Sequence, residues 1–414
     1  MYELEPALTL GEQHELDVAS ARAVVQDLTQ LDMYPGGDAS RWMRHQVSVM
    51  PEMYSEGAVR VTPLTEVADG VFAKDERQQV TGAFKPRGAF VNCWMTLEQD
   101  PSIRELAATS AGNHAQGVAT FVNWHNQNFG WKLTTHAFMA ETASDAKKQA
   151  LRDQEAEIHD LGFASLEEAR KGAQEFVRTS PQPAAEILPY AAPETIAGQG
   201  TIMTETLLQL WEAGVNTTAQ PLVVRVGWGG GGLALGVAEV MKQLISKGYV
   251  HCDSTVVAVE EEYNDSGRRG LSRYDQDDTS MTGLFAPDEF NASNDGTAVQ
   301  IPDLANIALA QKYRDEGLLV FDQVTKAQVG HAMAAHPGTE PAGALSIASQ
   351  RKAVIAHVTD SEYDVQPIEV CVVSGGNLTH DKFDEYQEAR SGSLYTGHRA
   401  LGGYVTRSYT VLRS

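Results

Sequence analysis

A chain of 414 residues, 42% hydrophobic and 21% charged, has a globular composition and length enough for two or three domains. Its 32 Lys and Arg against 55 Asp and Glu leave a net charge of −23, which repels phosphate backbones and anionic membranes and argues against a nucleic-acid partner. Three widely spaced cysteines (Cys93, Cys252, Cys371) build neither a disulfide framework nor a CxxC zinc pair, as expected in a reducing compartment. The acidic start is unlike a signal peptide, and no apolar run reaches the ~18 residues of a membrane span, so a cytoplasmic enzyme or binding protein is expected.

Residues 1–55 carry helical patches (21–25, 28–31) and a Pro35-Gly36-Gly37 turn, read as a packing extension or oligomer arm. Residues 59–64 and 71–74 are predicted strands. Lys85 is expected as the last extended residue before a helix, because proline restricts the residue before it and itself favours the first helical turn. An apolar stretch at 106–108 precedes a helix over 115–122, a strand over 135–139 and helices over 144–154 and 166–177. Ile187-Leu188 marks a strand and 201–213 a helix. Residues 222–226 form a buried strand that runs through glycines into a helix over 233–245. The segments 256–259 and 370–373 are all apolar, as strands of a doubly covered parallel sheet are. The alternation predicts an α/β fold. Between Tyr263 and Asn294 it breaks into what reads as an inserted loop. Asp275-Gln276-Asp277-Asp278 opens like a calcium loop, but Ser280 and Ala286 stand where glycine and the closing Glu are needed, so no calcium is expected there.

Chemistry concentrates in four places. Lys85, between Phe84 and Pro86 in an otherwise apolar run, is placed for desolvation, which favours the neutral amine that Schiff-base chemistry requires. Gly227-Trp228-Gly229-Gly230-Gly231-Gly232-Leu233 follows a buried strand and opens a helix, so its backbone amides suit a phosphate. The same run satisfies a dinucleotide fingerprint with Asp253 downstream, which makes a nicotinamide-dependent dehydrogenase a rival; against it, Asp253 precedes its strand instead of closing it. Ser110-Ala111-Gly112-Asn113-His114 places small residues and amides ahead of a helix, a seat for a carboxylate or simply a helix cap. Ser374-Gly375-Gly376-Asn377 is a glycine turn at a strand end.

Together with Ile196-Ala197-Gly198-Gln199-Gly200-Thr201, Asn294-Asp295-Gly296-Thr297-Ala298-Val299 and Glu340-Pro341-Ala342-Gly343-Ala344, these motifs make the chain resemble the fold type II pyridoxal-phosphate enzymes, and within them the threonine (serine) dehydratases. The resemblance implies a tryptophan synthase β-like fold of two mainly parallel sheets flanked by helices. It divides the chain into an extension (1–55), a large pyridoxal 5′-phosphate domain (56–104 and 186–414) and a small inserted domain (105–185). Lys85 would carry the cofactor and shuttle the Cα proton, Phe84 pack beside its ring and Asn113 bond its 3′-oxygen. Gly229, Gly230, Gly231, Gly232 and Leu233 would hold its phosphate, and Ser374 would face the pyridine nitrogen. Ser110, Ala111, Gly112, Asn113 and His114 would hold the carboxylate of a small amino-acid substrate.

The implied reaction is α,β-elimination on L-threonine or L-serine, on the route to isoleucine, by a cytoplasmic homo-oligomer (dimer or tetramer) with no catalytic metal. The alternatives are a β-replacement synthase, a dehydratase for another β-hydroxy amino acid, and a catalytically dead amino-acid-binding relative. Ala83, Pro86 and Trp228 depart from the family pattern. Ala111 lacks the hydroxyl that serine racemases of the family carry there, which argues against racemisation. Glu260 stands where relatives can bind a structural cation. The short stretch after Asn377 leaves no room for a regulatory domain, so isoleucine feedback is not expected.

Overall fold

The computed structural model describes residues 53–54, 58–110, 112–286, 288–350 and 366–400, with side chains up to Ser391. The elements expected before residue 53, and Ala111, therefore lie outside the described residues. The chain first pairs β1 (Leu64–Ala68) with β2 (Val71–Asp75) as an antiparallel hairpin. Next, β3 (Glu105–Thr109), β4 (Thr134–Phe138), β5 (Glu157–His159) and β6 (Ala184–Glu186) form a parallel sheet of order β5-β4-β3-β6. Finally, β7 (Leu222–Gly227), β8 (Thr255–Glu261), β9 (Leu319–Val324) and β10 (Ile368–Val373) join the hairpin in a six-stranded sheet, β1-β2-β10-β7-β8-β9, parallel except at β1.

The apolar runs are apolar because helices cover both faces of this sheet. Every residue of β8 is buried, and Val224, Val256 and Val370 share one core with Leu207, Leu235 and Met241 of the helices Pro193–Glu212 and Gly232–Ser246. The helix Lys85–Gln99 packs against both Pro193–Glu212 and Asn113–Phe129, and its Phe90 and Cys93 belong to the core of the smaller sheet. It thus links the two cores. No helix among the described residues is long and apolar enough to cross a membrane.

Several expected boundaries move, each for a visible reason. Residues 59–63 stay out of the sheet: the Thr62 carbonyl accepts from Lys74 Nζ (2.7 Å) and its N–H reaches Glu205, while Pro63 has no N–H for a ladder. Ile187 and Leu188 follow β6 instead of forming a strand; Ile187 N makes a last bond to Ala107 O. The helix expected from residue 201 begins at Pro193, whose fixed φ suits a first turn. Lys85 is the first residue of its helix, not an extended one, with Phe84 already helical at φ −62° and ψ −15°. Tertiary contact overrides the proline rule there: Phe84 N is bonded to Ser374 O and Ala83 bridges Gly375. The supposed loop after Tyr263 holds the helix Ser266–Tyr274. Glu260 serves as acceptor for that helix's Gly267 and Arg268 amides (2.7 and 3.1 Å), and burial pushes its carboxyl up to about 8. Strands β5 and β9 and the helices Leu304–Asp315, Lys326–Ala335, Pro341–Ala348 and His380–Ala400 had no counterpart in the sequence reading.

Candidate active site

The carboxyl ends of β7 and β10 face the helix Asn113–Phe129 across a cleft whose empty space, open mouth included, is about 930 Å3. Phe84, Lys85, Ser110, Gly112, Asn113, His114, Gly229, Gly230, Gly231, Gly232, Leu233 and Ser374 all line it. Residues far apart in the chain are in direct contact here: Phe84 N donates to Ser374 O at 3.0 Å, and Asn377 donates to Asn113 Oδ1 at 2.8 Å. Lys85 Nζ lies 4.9 Å from the Phe84 ring centre and donates to Pro189 O at 3.1 Å. Desolvation pushes its amine down to about 8, with Glu340 pulling the other way.

The glycine run is built to expose backbone. Gly231 has φ +86°, a left-handed conformation that L side chains rarely adopt, and the Trp228 indole lies beneath it. At Gly230 a Cβ would collide with the Tyr190 ring. The first amides of the helix Gly232–Ser246 have no partner within the helix and open onto the cleft. Asn306 Nδ2 ties the run down by donating to Gly230 O (2.6 Å) and Tyr190 O (3.0 Å). Trp228 is buried and meets Phe321 edge-on at 4.8 Å, so this departure from the family pattern is a floor for the loop. Asp253 lies just before β8, half-exposed beside His251, at the sheet end opposite the glycines. The dehydrogenase reading loses its ribose ligand.

On the facing side, Ser110 Oγ accepts from Gly112 N (2.9 Å) and His114 N (3.2 Å), which leaves its own proton free to donate into the cleft. His114 is buried; its Nε2 donates to Ile187 O at 2.7 Å and its Nδ1 has no partner. Burial first, then Lys85, pushes that imidazole down to about 3, so it is neutral. Asn113 Nδ2 donates to Glu340 Oε1 at 3.1 Å. Glu340, a member of one of the motifs but without an assigned role, is the main residue sequence reasoning missed. Burial lifts its carboxyl to about 7, with Asp295 also raising it and Lys147, Asn113 and Lys85 opposing. Lys147 and Asp295 also line the cleft and form an ion pair at its mouth. Gln199 likewise stood in a motif without a role, and Tyr190 and Asn306 carried no signal of their own. The expected division of roles rests on these placements; Ala111 adds nothing, lying outside the described residues.

Comparison with known proteins puts this geometry in context. Residues 56–365 match the family described as "Pyridoxal-phosphate dependent enzyme". The chain is 32% identical over 328 residues to the biosynthetic L-threonine dehydratase of Pasteurella multocida, a match covering 77% of this chain and 56% of that one. It is 30% identical over 313 residues to the catabolic L-threonine dehydratase of Staphylococcus aureus, covering 74% and 79%. The chain thus spans little more than half the length of the biosynthetic relatives it matches. Among solved structures, the T.th. threonine deaminase superposes with a TM-score of 0.61 at 27% identity, covering 83% of this chain and 98% of that one.

Proposed function

The chain belongs to the pyridoxal-phosphate dependent enzyme family, and on that footing we propose that it deaminates L-threonine, or L-serine, by α,β-elimination to 2-oxobutanoate, or pyruvate, and ammonia. The residues present fit the cofactor. The cleft offers an amine of lowered pKa, a cradle in which a side chain at Gly230 or Gly232 would collide with Tyr190 or Gln199, and buried polar atoms still unpartnered, His114 Nδ1 and Gln199 Oε1. Bound there, pyridoxal phosphate supplies an electron sink that makes the substrate Cα–H acidic.

The chain's own groups have distinct tasks in this reading. The amides of Gly229, Gly230, Gly231, Gly232 and Leu233 hold the phosphate. Ser374 would face the pyridine nitrogen with a hydroxyl, which would not enforce ring protonation and so would favour elimination over transamination. Phe84 would pack beside the ring and Asn113, which is oriented by Glu340 and Asn377, would hold its 3′-oxygen. The Ser110 hydroxyl, which accepts from two amides, would donate a hydrogen bond to the substrate carboxylate beside the Gly112, Asn113 and His114 backbone. Lys85 takes the Cα proton, a task suited to an amine near 8. The observation that carries the reading is that Lys85 Nζ, the glycine cradle and the Ser110 loop line one cleft.

The two sheets support the division into a cofactor domain (56–104 and 186–414) and a smaller domain (105–185). The reading extends to a cytoplasmic homo-oligomer, dimer or tetramer, in isoleucine biosynthesis; the Staphylococcus relative, named catabolic, supports a degradative role instead. The test is purified holoprotein incubated with L-threonine and assayed for 2-oxobutanoate. Turnover that disappears in Lys85→Ala supports it. New amino acids formed from serine and a thiol would favour β-replacement, and no turnover of any β-hydroxy amino acid would leave a binding protein.

A further inference from the structure

Away from the cleft, the open edge of the smaller sheet gathers a second set of polar groups. Parallel pairing of β4 with β5 sets His136 opposite Glu157 and Phe138 opposite His159. Residues two apart on a strand share a face, so both imidazoles and the carboxylate rise from the same side. We propose that His136, Glu157 and His159 form a binding site for a divalent transition metal of the zinc class.

The distances carry the proposal. His136 Nδ1 is 3.1 Å from His159 Nε2 and 3.5 Å from Glu157 Oε2, and all three ligand atoms lie within 4.8 Å of one another. Zinc takes histidine nitrogen and carboxylate oxygen at ~2.0–2.2 Å in a tetrahedron, which puts two ligand atoms about 3.3 Å apart. A bare imidazole–imidazole hydrogen bond accounts for the first distance only. The ring planes are held from both sides: Phe176 lies 4.3 Å from the His136 centroid, and Phe138 stacks on His159 at 4.4 Å and 7°. Behind the site, His136 Nε2 is buried without a hydrogen-bond partner and lies 3.9 Å from Glu105 Oε1. A ligating histidine commonly donates its far N–H to a carboxylate; here Glu105 stands nearby but about 1 Å beyond such a bond. Burial holds both imidazoles below the usual histidine range, in the neutral form that binds metal. Glu157 is 63% exposed, which leaves an entry path and a fourth position for water.

Imidazole and carboxylate donors select zinc or its neighbours over magnesium or calcium. Occupancy would tie β5, an edge strand of three residues, to β4. Asp160, next in sequence to His159, pairs with Lys148 at 2.7 Å, so the tie would extend to the helix Asp145–Arg152.

The test strips the full-length holoprotein with a chelator, dialyses it against Zn2+ alone and counts retained metal by elemental analysis. The proposal expects one zinc per chain, a higher melting temperature with zinc, and a tetrahedral absorption band when Co2+ replaces it. Because His136 is buried and its replacement could unfold the chain, the variants are His159→Gln and Glu157→Gln. The first should lose the metal and the second should bind it about tenfold more weakly or worse. The other described group with metal-ligand spacing, His251, Cys252 and Asp253, is controlled by Cys252→Ser, which should change nothing. Wild-type protein that retains no zinc, zinc that survives His159→Gln, or zinc lost only in Cys252→Ser would each overturn the assignment.

Discussion

Lys85 and Arg87 sit two positions apart on the helix Lys85–Gln99, and their side chains enter two polar regions that treat charge in opposite ways. In the cleft, burial meets incomplete pairing and pushes groups toward neutrality: Lys85 down to about 8, Glu340 up to about 7, His114 down to about 3. Behind it, Arg87 is fully buried against Glu76 (2.8 Å) and Glu205, and Glu205 also takes Lys74 Nζ at 2.7 Å and the Tyr54 hydroxyl at 2.5 Å. Burial alone would raise the Glu205 carboxyl, yet Arg87 and Lys74 together hold it well below the usual range. The same loss of solvent discharges a group with too few partners and locks the charge of one with enough. Reaction chemistry wants the first condition, because a proton must come and go. Scaffolding wants the second.

The largest way to break the comparison is to exchange the two roles. Lys85→Ala should abolish threonine turnover, by at least ~10²–10⁴-fold as loss of a general acid–base group implies, yet leave urea denaturation near wild type. Arg87→Met should do the reverse. Stranding the buried Glu76 and leaving Glu205 with Lys74 as its one cationic partner should cost about 3–5 kcal/mol in the same denaturation experiment, with residual folded protein still binding cofactor.

Glu340→Gln sharpens the contrast through pH. A carboxyl whose folded pKa is raised from 4.5 to about 7 stabilises the fold when protonated, so stability drains as pH climbs between those values. The amide should flatten that slope, read as melting temperature against pH. Since Glu340 raises the Lys85 amine, its removal should also shift cofactor capture by the apoprotein: the rise with pH expected near 8 should begin lower. The smallest effect is expected from Asn306→Ala, which frees Gly230 O and Tyr190 O. Two lost hydrogen bonds of about 1 kcal/mol each predict a pyridoxal phosphate affinity down by at most ~30-fold, with little change in kcat.

What could be read without coordinates was what the chain writes contiguously. The glycine run, the Ser110 loop and the lysine between Phe84 and Pro86 each carry their chemistry within a few residues, and parallel-sheet cores show as unbroken apolar strands. The Arg87 network could not be read that way: Lys74 and Glu205 are 131 positions apart, and nothing local says that either is buried. Glu340 lay in a visible motif, but its partner Asn113 is 227 positions away. Local rules failed where long-range contacts outvoted them, as at Lys85, helical although Pro86 disfavours that conformation, next to a Phe84 whose N–H is bonded to Ser374 O. β5 escaped notice because three residues, Glu157, Ile158 and His159, are too few to show a period.

The ion pair between Lys147 and Asp295 joins the helix Asp145–Arg152, beside the smaller sheet, to a loop of the larger body across the mouth of the cleft. Its two charges stand partly in solvent beside the way in. Dissolved salt would therefore act as a throttle wherever passage parts the pair: with screening lengths near ~8 Å at physiological ionic strength, raising salt weakens that pair without touching the chemistry behind it. Entry and release would quicken together, and residence time, more than affinity, would register the ions in the medium.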